Sequence, residues 1–166
     1  MDIHTNDSSK LLYEGKAKQV FSTSKKDVVL VQFKNYATAF NAKKKEYFEG
    51  KGQINCLISA YLFELLESKG ISTHFRGLYS ENSMAAAKLK IIPLEVVVRN
   101  IAEGSLCRET PIKKGSKITP ALIDYYYKDD KLSDPLLTDQ RIKILNIISA
   151  SQQLEIENIS REINTV

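Results

Sequence analysis

Only two cysteines, Cys56 and Cys107, occur in the 166 residues, and they have neither metal-type spacing nor a partner motif. That excludes a disulfide framework and a zinc-finger arrangement. It leaves two reduced, partly buried thiols of the kind cytosolic proteins carry. No apolar run approaches the roughly 20 residues needed to cross a bilayer. Residues 1–10 are polar with acidic members and lack the apolar core of a signal peptide. The expectation is a soluble, cytoplasmic chain. A surplus of one charge is missing too: 24 Lys and Arg stand against 20 Asp and Glu, a net +4. Such a balance suits anionic small ligands as well as nucleic acid and chooses neither. Nor is there a Gly-x-x-x-x-Gly-Lys-Ser/Thr segment, which excludes a P-loop.

What is present is globular. Apolar residues make up 43% of the chain and charged residues 27%, and the length fits one ordinary domain or two small lobes. Residues 1–10 read as a frayed tail in which His4 has no role. Residues 11–21 give two short apolar runs around a turn at Gly15, and residues 28–33 a third strand, together an antiparallel meander. Residues 53–68 form the clearest helix. Ile54, Leu57, Ile58, Tyr61, Leu62, Leu65 and Leu66 recur at helical spacing and are read as core, with Lys69-Gly70 as the stop. Residues 71–78 read as a return strand containing a structural His74, and residues 88–98 as the next. Residues 111–120 are loop or hairpin turning at Gly115. Residues 121–128 are a short helix candidate whose Tyr125, Tyr126 and Tyr127 serve packing. A helix over 138–146 is broken at Ile147-Ile148-Ser149. Ser149-x-x-Gln152 is a capping-box signature for a last helix to about Ile163, with Ile156, Ile159 and Ile163 on one face. The fold class is α+β.

Three stretches carry chemistry. In residues 91–106 (IIPLEVVVRNIAEGSL) a β-branched strand read as buried contains Glu95 and Arg99. Their even spacing puts both on one face, where each must pair or meet another charge. Gly104-Ser105 then offers backbone N–H groups and a hydroxyl to an anion; a structural ion pair plus a turn is the plainer reading. In Gly15-Lys16-Ala17-Lys18 the glycine admits close backbone approach and two alternate lysines can reach phosphates, against a plain solvated hairpin. In residues 128–135 (KDDKLSDP) carboxylates surround an ammonium, against a solvated turn. Residues 34–52 are polar, with the basic run Lys43-Lys44-Lys45 and Gly50-Lys51-Gly52, and by charge alone form a solvated loop.

These stretches together resemble the SAICAR synthetase family of purine biosynthesis. The long signature is Ile91-Ile92-Pro93-Leu94-Glu95-Val96-Val97-Val98-Arg99-Asn100, a spacer and Gly104-Ser105, with Glu103 departing from the usual small residue. Tyr13-x-Gly15-Lys16-Ala17-Lys18, the segment through Asn41 to Gly52, and the Lys128–Asp134 loop also match. Ala42 replaces a usual Gly and Tyr36 an often acidic residue. The resemblance implies a two-lobed, kinase-like or ATP-grasp-like α+β fold. Residues 11–90 would be an N-terminal antiparallel sheet lobe with one helix. Residues 91–166 would start a second lobe, with ATP between the two. It covers nearly all of this chain but only the first two thirds of the family, so the second lobe is expected to be incomplete at its C-terminal end.

The implied reaction is an ATP-dependent condensation of L-aspartate with carboxyaminoimidazole ribonucleotide through an acyl phosphate. ATP and Mg2+ are the implied cofactors. Gly15, Lys16, Ala17 and Lys18 would hold the ATP phosphates, Ile92 and Leu94 would lie near adenine, and Glu95 on the hinge strand. Arg99 and Ser105 would bind the anionic substrate, with Asn41, Lys51, Lys128 and Asp134 as further cleft residues. No catalytic residue and no metal ligand is assigned; the expected ligands lie in family segments beyond residue 166. The partners are small molecules, with no nucleic acid and no membrane, and a homo-oligomer is compatible with the resemblance. Two other readings stand beside it: a non-catalytic nucleotide-binding remnant, and a basic nucleic-acid module using the lysine run and the tyrosines, for which no recognised motif is present.

Overall fold

The computed structural model describes residues 9–39 and 44–166. The chain divides into two compact units, Met1–Lys90 and Ile91–Val166.

In the first unit β1 (Leu11–Glu14), β2 (Lys18–Ser22), β3 (Val28–Phe33), β6 (Phe75–Ser80) and β7 (Ser83–Ala87) form an antiparallel sheet in the order β1-β2-β3-β7-β6. β4 (Tyr36–Ala39) and β5 (Lys44–Tyr47) make a separate hairpin, and α1 (Lys51–Ser68) covers one face of the larger sheet. The expected meander is present as β1-β2-β3. β3, an almost unbroken apolar run, takes the central position where both faces are buried. Val29, Val31, Phe33, Phe75, Met84 and Ala86 of the sheet pack against Cys56 and Ala60 of α1.

Here the sequence reading of the helix needs correction. α1 buries Gly52, Cys56 and Ala60, whereas Ile54, Leu57, Ile58, Tyr61 and Leu62 are exposed, Tyr61 to 66%. Close approach explains the inversion. A Cβ on Gly52 would lie 2.6 Å from the Phe33 carbonyl oxygen, and the Gly52 N–H donates to Asn35 Oδ1 at 2.7 Å. The helix axis therefore sits where only small side chains fit. Its end is as expected: Gly70 has φ +85°, and the N–H groups of Gly70 and Ile71 return to Glu67 and Leu66, each at 3.0 Å. The return strand begins only at Phe75, and residues 88–93 are not strand; the missing strand is β7 (SMAAA), whose alanines carry no β signature. His74 packs edge-on against Phe63 at 4.9 Å.

In the second unit β8 (Leu94–Ile101), β9 (Lys117–Tyr127) and β10 (Leu136–Leu137) form a sheet in the order β10-β9-β8. α2 (Ser105–Glu109) follows β8, while α3 (Asp139–Ile144) and α4 (Ala150–Ile163) close the unit. The short helix expected over 121–128 is instead the end of β9. Its aromatics alternate, so Tyr125 enters the core with Leu137, Ile142 and Ile148 while Tyr126 lies on the other face. β8 is an edge strand with no residue fully buried, unlike the buried strand expected. Both expected helix starts are present. The Thr138 side chain accepts from Arg141 N–H at 3.3 Å, and Ser149 and Gln152 form the full capping box at 3.2 and 2.9 Å. β10 covers only Tyr125 and Tyr126 of β9; further along that edge Arg161 of α4 donates to the Ala121 carbonyl at 3.4 Å. Among the described residues no helix is long and apolar enough to cross a membrane.

Candidate functional site

Register decides what the β8–β9 ribbon displays. Leu94, Val96 and Val98 stand opposite Tyr127, Tyr125 and Ile123, and most of these pack into the unit's core. The alternate pairs are Glu95 with Tyr126, Val97 with Asp124 and Arg99 with Leu122, so the second face is polar. Glu95 and Arg99 do share a face, as their spacing predicts, but they do not pair with each other.

Arg99 is held from three sides. Its Nε donates to Asp124 Oδ2 at 2.8 Å, and Nη2 donates to the Tyr126 hydroxyl at 3.0 Å and to Ser105 Oγ at 3.2 Å. The side chains of Arg99 and Asp124 are only 16% and 15% exposed, so the pair is largely desolvated. The hydrogen bond to Asp124 holds the guanidinium pKa above its ordinary value against that burial. Gly104 brings Ser105 into place. Its φ of +63° with ψ of −129° lies where L side chains rarely go, and the turn it makes from β8 into α2 sets the Ser105 hydroxyl against Arg99. Glu103, the departure from the family pattern, faces solvent and pairs with Lys114 at 3.0 Å.

A second cluster lies on the same polar face. Lys128 Nζ bridges Glu95 Oε2 at 3.0 Å and Asp134 Oδ2 at 3.2 Å, and these two bonds hold its pKa above the ordinary lysine value. Asp134 Oδ1 accepts the Asp129 N–H at 2.9 Å. Both Ser133 (φ +60°) and Asp134 (φ +45°) are left-handed, so the loop carries backbone strain to aim this carboxylate.

In the first unit the turn between β1 and β2 closes through Gly15 N–H to Lys18 O at 2.9 Å. Lys34 braces it: the Lys34 ammonium pairs with Glu14 and donates to the Gly15 carbonyl at 2.8 Å, while the Lys34 N–H donates to Ala17 O at 2.9 Å. Lys18 extends its ammonium over the Phe33 ring, 5.5 Å from the centroid. Lys51 opens α1 beside Gly50, whose φ is +74°. Asn41 and Ala42 lie outside the described residues. Ile92 is 40% exposed; Leu94 gives its side chain to the second unit's core, and its N–H donates to the Ile92 carbonyl at 2.7 Å.

The structure thus gathers Arg99 with Ser105 and, separately, Lys128 with Glu95 and Asp134; the Gly15–Lys18 turn belongs to the other unit. Sequence reasoning missed Asp124, Tyr126 and Lys34. The first two were lost with the helix reading of residues 121–128, although polar 124 and 126 alternating with apolar 123 and 125 is a strand signal. Among the described residues no three His, Cys, Asp or Glu side chains are placed to share a metal ion.

A family model described as SAICAR synthetase matches residues 11–166. A phosphoribosylaminoimidazole-succinocarboxamide synthase of Prochlorococcus marinus (strain NATL1A) is 58% identical over 156 residues, which are 94% of this chain and 63% of that protein. The crystal structure of the same-named synthase from Ehrlichia chaffeensis is similar with a TM-score of 0.89 at 37% identity, covering 94% of this chain and 66% of that one. A type-2 SAICAR synthetase in complex with ADP is similar with a TM-score of 0.86 at 40% identity, covering 92% and 65%. The chain spans 63–66% of the length of these relatives.

Proposed function

The chain belongs to the SAICAR synthetase family, and on that premise we propose that it binds ATP on the β1–β2 turn and an anionic substrate on the polar face of β8–β9. The reaction in this reading is the cytoplasmic, ATP-dependent condensation of L-aspartate with carboxyaminoimidazole ribonucleotide. The observation that carries it is Arg99: a guanidinium fixed by Asp124, Tyr126 and Ser105 while Nη1 has no partner among the described residues. A largely buried, oriented cation of this kind suits a phosphate or carboxylate. The ADP complex of the type-2 relative supports a nucleotide in this family.

Gly15, Lys16, Ala17 and Lys18 contact the phosphates, the two lysines offsetting charge on the transferred phosphoryl group. Ile92 and the backbone of Leu94 border the adenine, with Glu95 beside them. Arg99 and Ser105 hold the substrate anion, and Lys128, Asp134, Lys51 and Asn41 are each proposed as further substrate contacts. A substrate carboxylate oxygen attacks the γ-phosphorus and ADP leaves. The aspartate amine then attacks the acyl carbon, phosphate leaves with the oxygen, and the surplus amine proton passes to solvent. Two moderate barriers replace one high one. Mg2+, in this reading, would arrive with the nucleotide phosphates and offset their charge.

A second reading rests on the coverage of 63–66%: the chain binds nucleotide without completing the reaction. Titration calorimetry with ATP and magnesium, on the chain and on Lys18→Ala, tests the shared part. Affinity falling at least about tenfold in the variant is expected, roughly the worth of one charge-assisted contact; equal affinities remove the β1–β2 turn as the phosphate site. Product formation by the wild-type chain under the same conditions then eliminates the second reading, and binding without product eliminates catalysis by this chain alone.

A further inference from the structure

The donors of Arg99 can be counted. A guanidinium carries five N–H groups in a rigid fork. Three are committed: Nε–H to Asp124 at 2.8 Å, and the two of Nη2 to Tyr126 at 3.0 Å and Ser105 at 3.2 Å. Among the described residues the two of Nη1 have no partner. The Ser105 and Tyr126 oxygens lie 3.3 Å apart, so one hydroxyl donates to the other and the second keeps an O–H to spare. Two N–H groups and one O–H remain, all donors and all fixed to one another.

We infer that Asp124 and Tyr126 are positioning residues, which lock Arg99 so that Nη1 and the spare hydroxyl form a three-donor cradle for one oxyanion of the substrate. The inference rests on the reading of Arg99 as an anion-binding residue. Its force comes from the charge balance. Asp124 cancels the charge of Arg99, so the cluster is neutral as a unit and has little long-range pull on an anion. What it offers is direction: donors fixed around an Arg99–Asp124 pair of low exposure, where each hydrogen bond is stronger than in water. The apolar neighbours Val97 and Leu122, in register on the same face, keep the fork between walls that cannot compete for its donors. The strand period assigns the parts, because 122, 124 and 126 of β9 and 95, 97 and 99 of β8 must share that face.

Charge and direction make opposite predictions for the same variants. If net charge held the anion, Asp124→Ala would tighten binding by unmasking Arg99, and Tyr126→Phe would change nothing. If direction holds it, both weaken binding: Asp124→Ala by about tenfold and Tyr126→Phe by about threefold, the scale of one strong and one ordinary hydrogen bond. The measurement uses the 166-residue chain with 15N labelling, titrated separately with ribose 5-phosphate and with L-aspartate. The two arms tell a phosphate monoester from a carboxylate. The Arg99 Nε–H resonance reports fork orientation directly and is expected to shift on binding in the wild type. In both variants it is expected to move and broaden without ligand, which a remote loss of stability does not reproduce while the melting temperature stays above the working temperature. Should Asp124→Ala not fold, Tyr126→Phe decides alone, since it leaves the ion pair intact. Arg99→Ala separates the layers of the argument: unchanged affinity for both probes removes the anion role of Arg99 itself. Loss in Arg99→Ala with equal or tighter binding in Asp124→Ala and Tyr126→Phe overturns only the positioning role.

Discussion

In α1 the residues that meet the sheet are Gly52, Cys56 and Ala60, while Ile54, Ile58 and Tyr61 are left exposed. In the β8–β9 ribbon the bulky Tyr125, Val96 and Ile123 go inward, and Glu95, Arg99 and Asp124 occupy the other face. Backbone distance sets the first arrangement, because a helix lying against a strand carbonyl at Gly52 leaves no volume for large side chains. Side-chain alternation sets the second. Hydrophobicity therefore predicts burial in the ribbon and fails in the helix, and the failure marks where the backbones come closest.

The sharpest way to break this contrast is Gly52→Ala. Alanine gains about 1 kcal/mol of helix propensity, but its Cβ 2.6 Å from the Phe33 carbonyl forces α1 off the sheet at an overpacking cost of about 3 kcal/mol. Chemical denaturation is expected to show a net loss of about 2 kcal/mol; a gain would mean that α1 is not fixed by contact at all.

A smaller effect separates the two units by pH. Burial, followed by the hydrogen bond to Glu157, raises the Tyr125 pKa well above the ordinary tyrosine value. A raised folded pKa means that its contribution is full below about pH 10, the unfolded value, and is lost as pH rises towards the folded one. His74 behaves in the opposite sense. Burial first, and then Lys18 and Arg76, lower its pKa, so its contribution is full above about pH 6.5 and is lost as pH falls. Amide exchange followed against pH is expected to show the first unit loosening on the acid side and the second on the alkaline side. Tyr125→Phe is expected to cost about 1 kcal/mol at neutral pH and to flatten the alkaline limb; an unchanged limb would assign it to another group.

The smallest expected effect is at Leu57. Replacement by Ser on the exposed stripe of α1 is expected to change stability by less than about 0.5 kcal/mol. A loss near 2 kcal/mol in thermal melts would show that something covers that stripe in solution.

Legibility in the sequence followed the same physics. The β1-β2-β3 meander, α1, α3 and α4 with its capping box could be read because their signals are local: turn residues, strand runs, a Ser-x-x-Gln pair. β7 could not, because Ser83–Ala87 has no β propensity and is strand only through pairing with β3 and β6. Residues 121–128 were misread because three adjacent tyrosines hide a two-residue period. At the candidate site Glu95, Arg99, Ser105 and the Lys128–Asp134 loop were legible as residues. The partners that orient Arg99 come from β9 and needed the register of the ribbon to be seen.

One contact at the rim of the second unit bears on how the protein behaves in concentrated solution. β10 pairs with only two residues of β9, and the outward backbone groups of a strand, where left open, are a template that a strand from another molecule could extend. Arg161 reaches across from α4 and occupies the Ala121 carbonyl on that template. A bulky cation on an open strand discourages end-on stacking of sheets both by taking an acceptor and by repelling its own image in a second copy. The last helix, besides closing a core, thereby takes up one of the acceptors that such pairing would need.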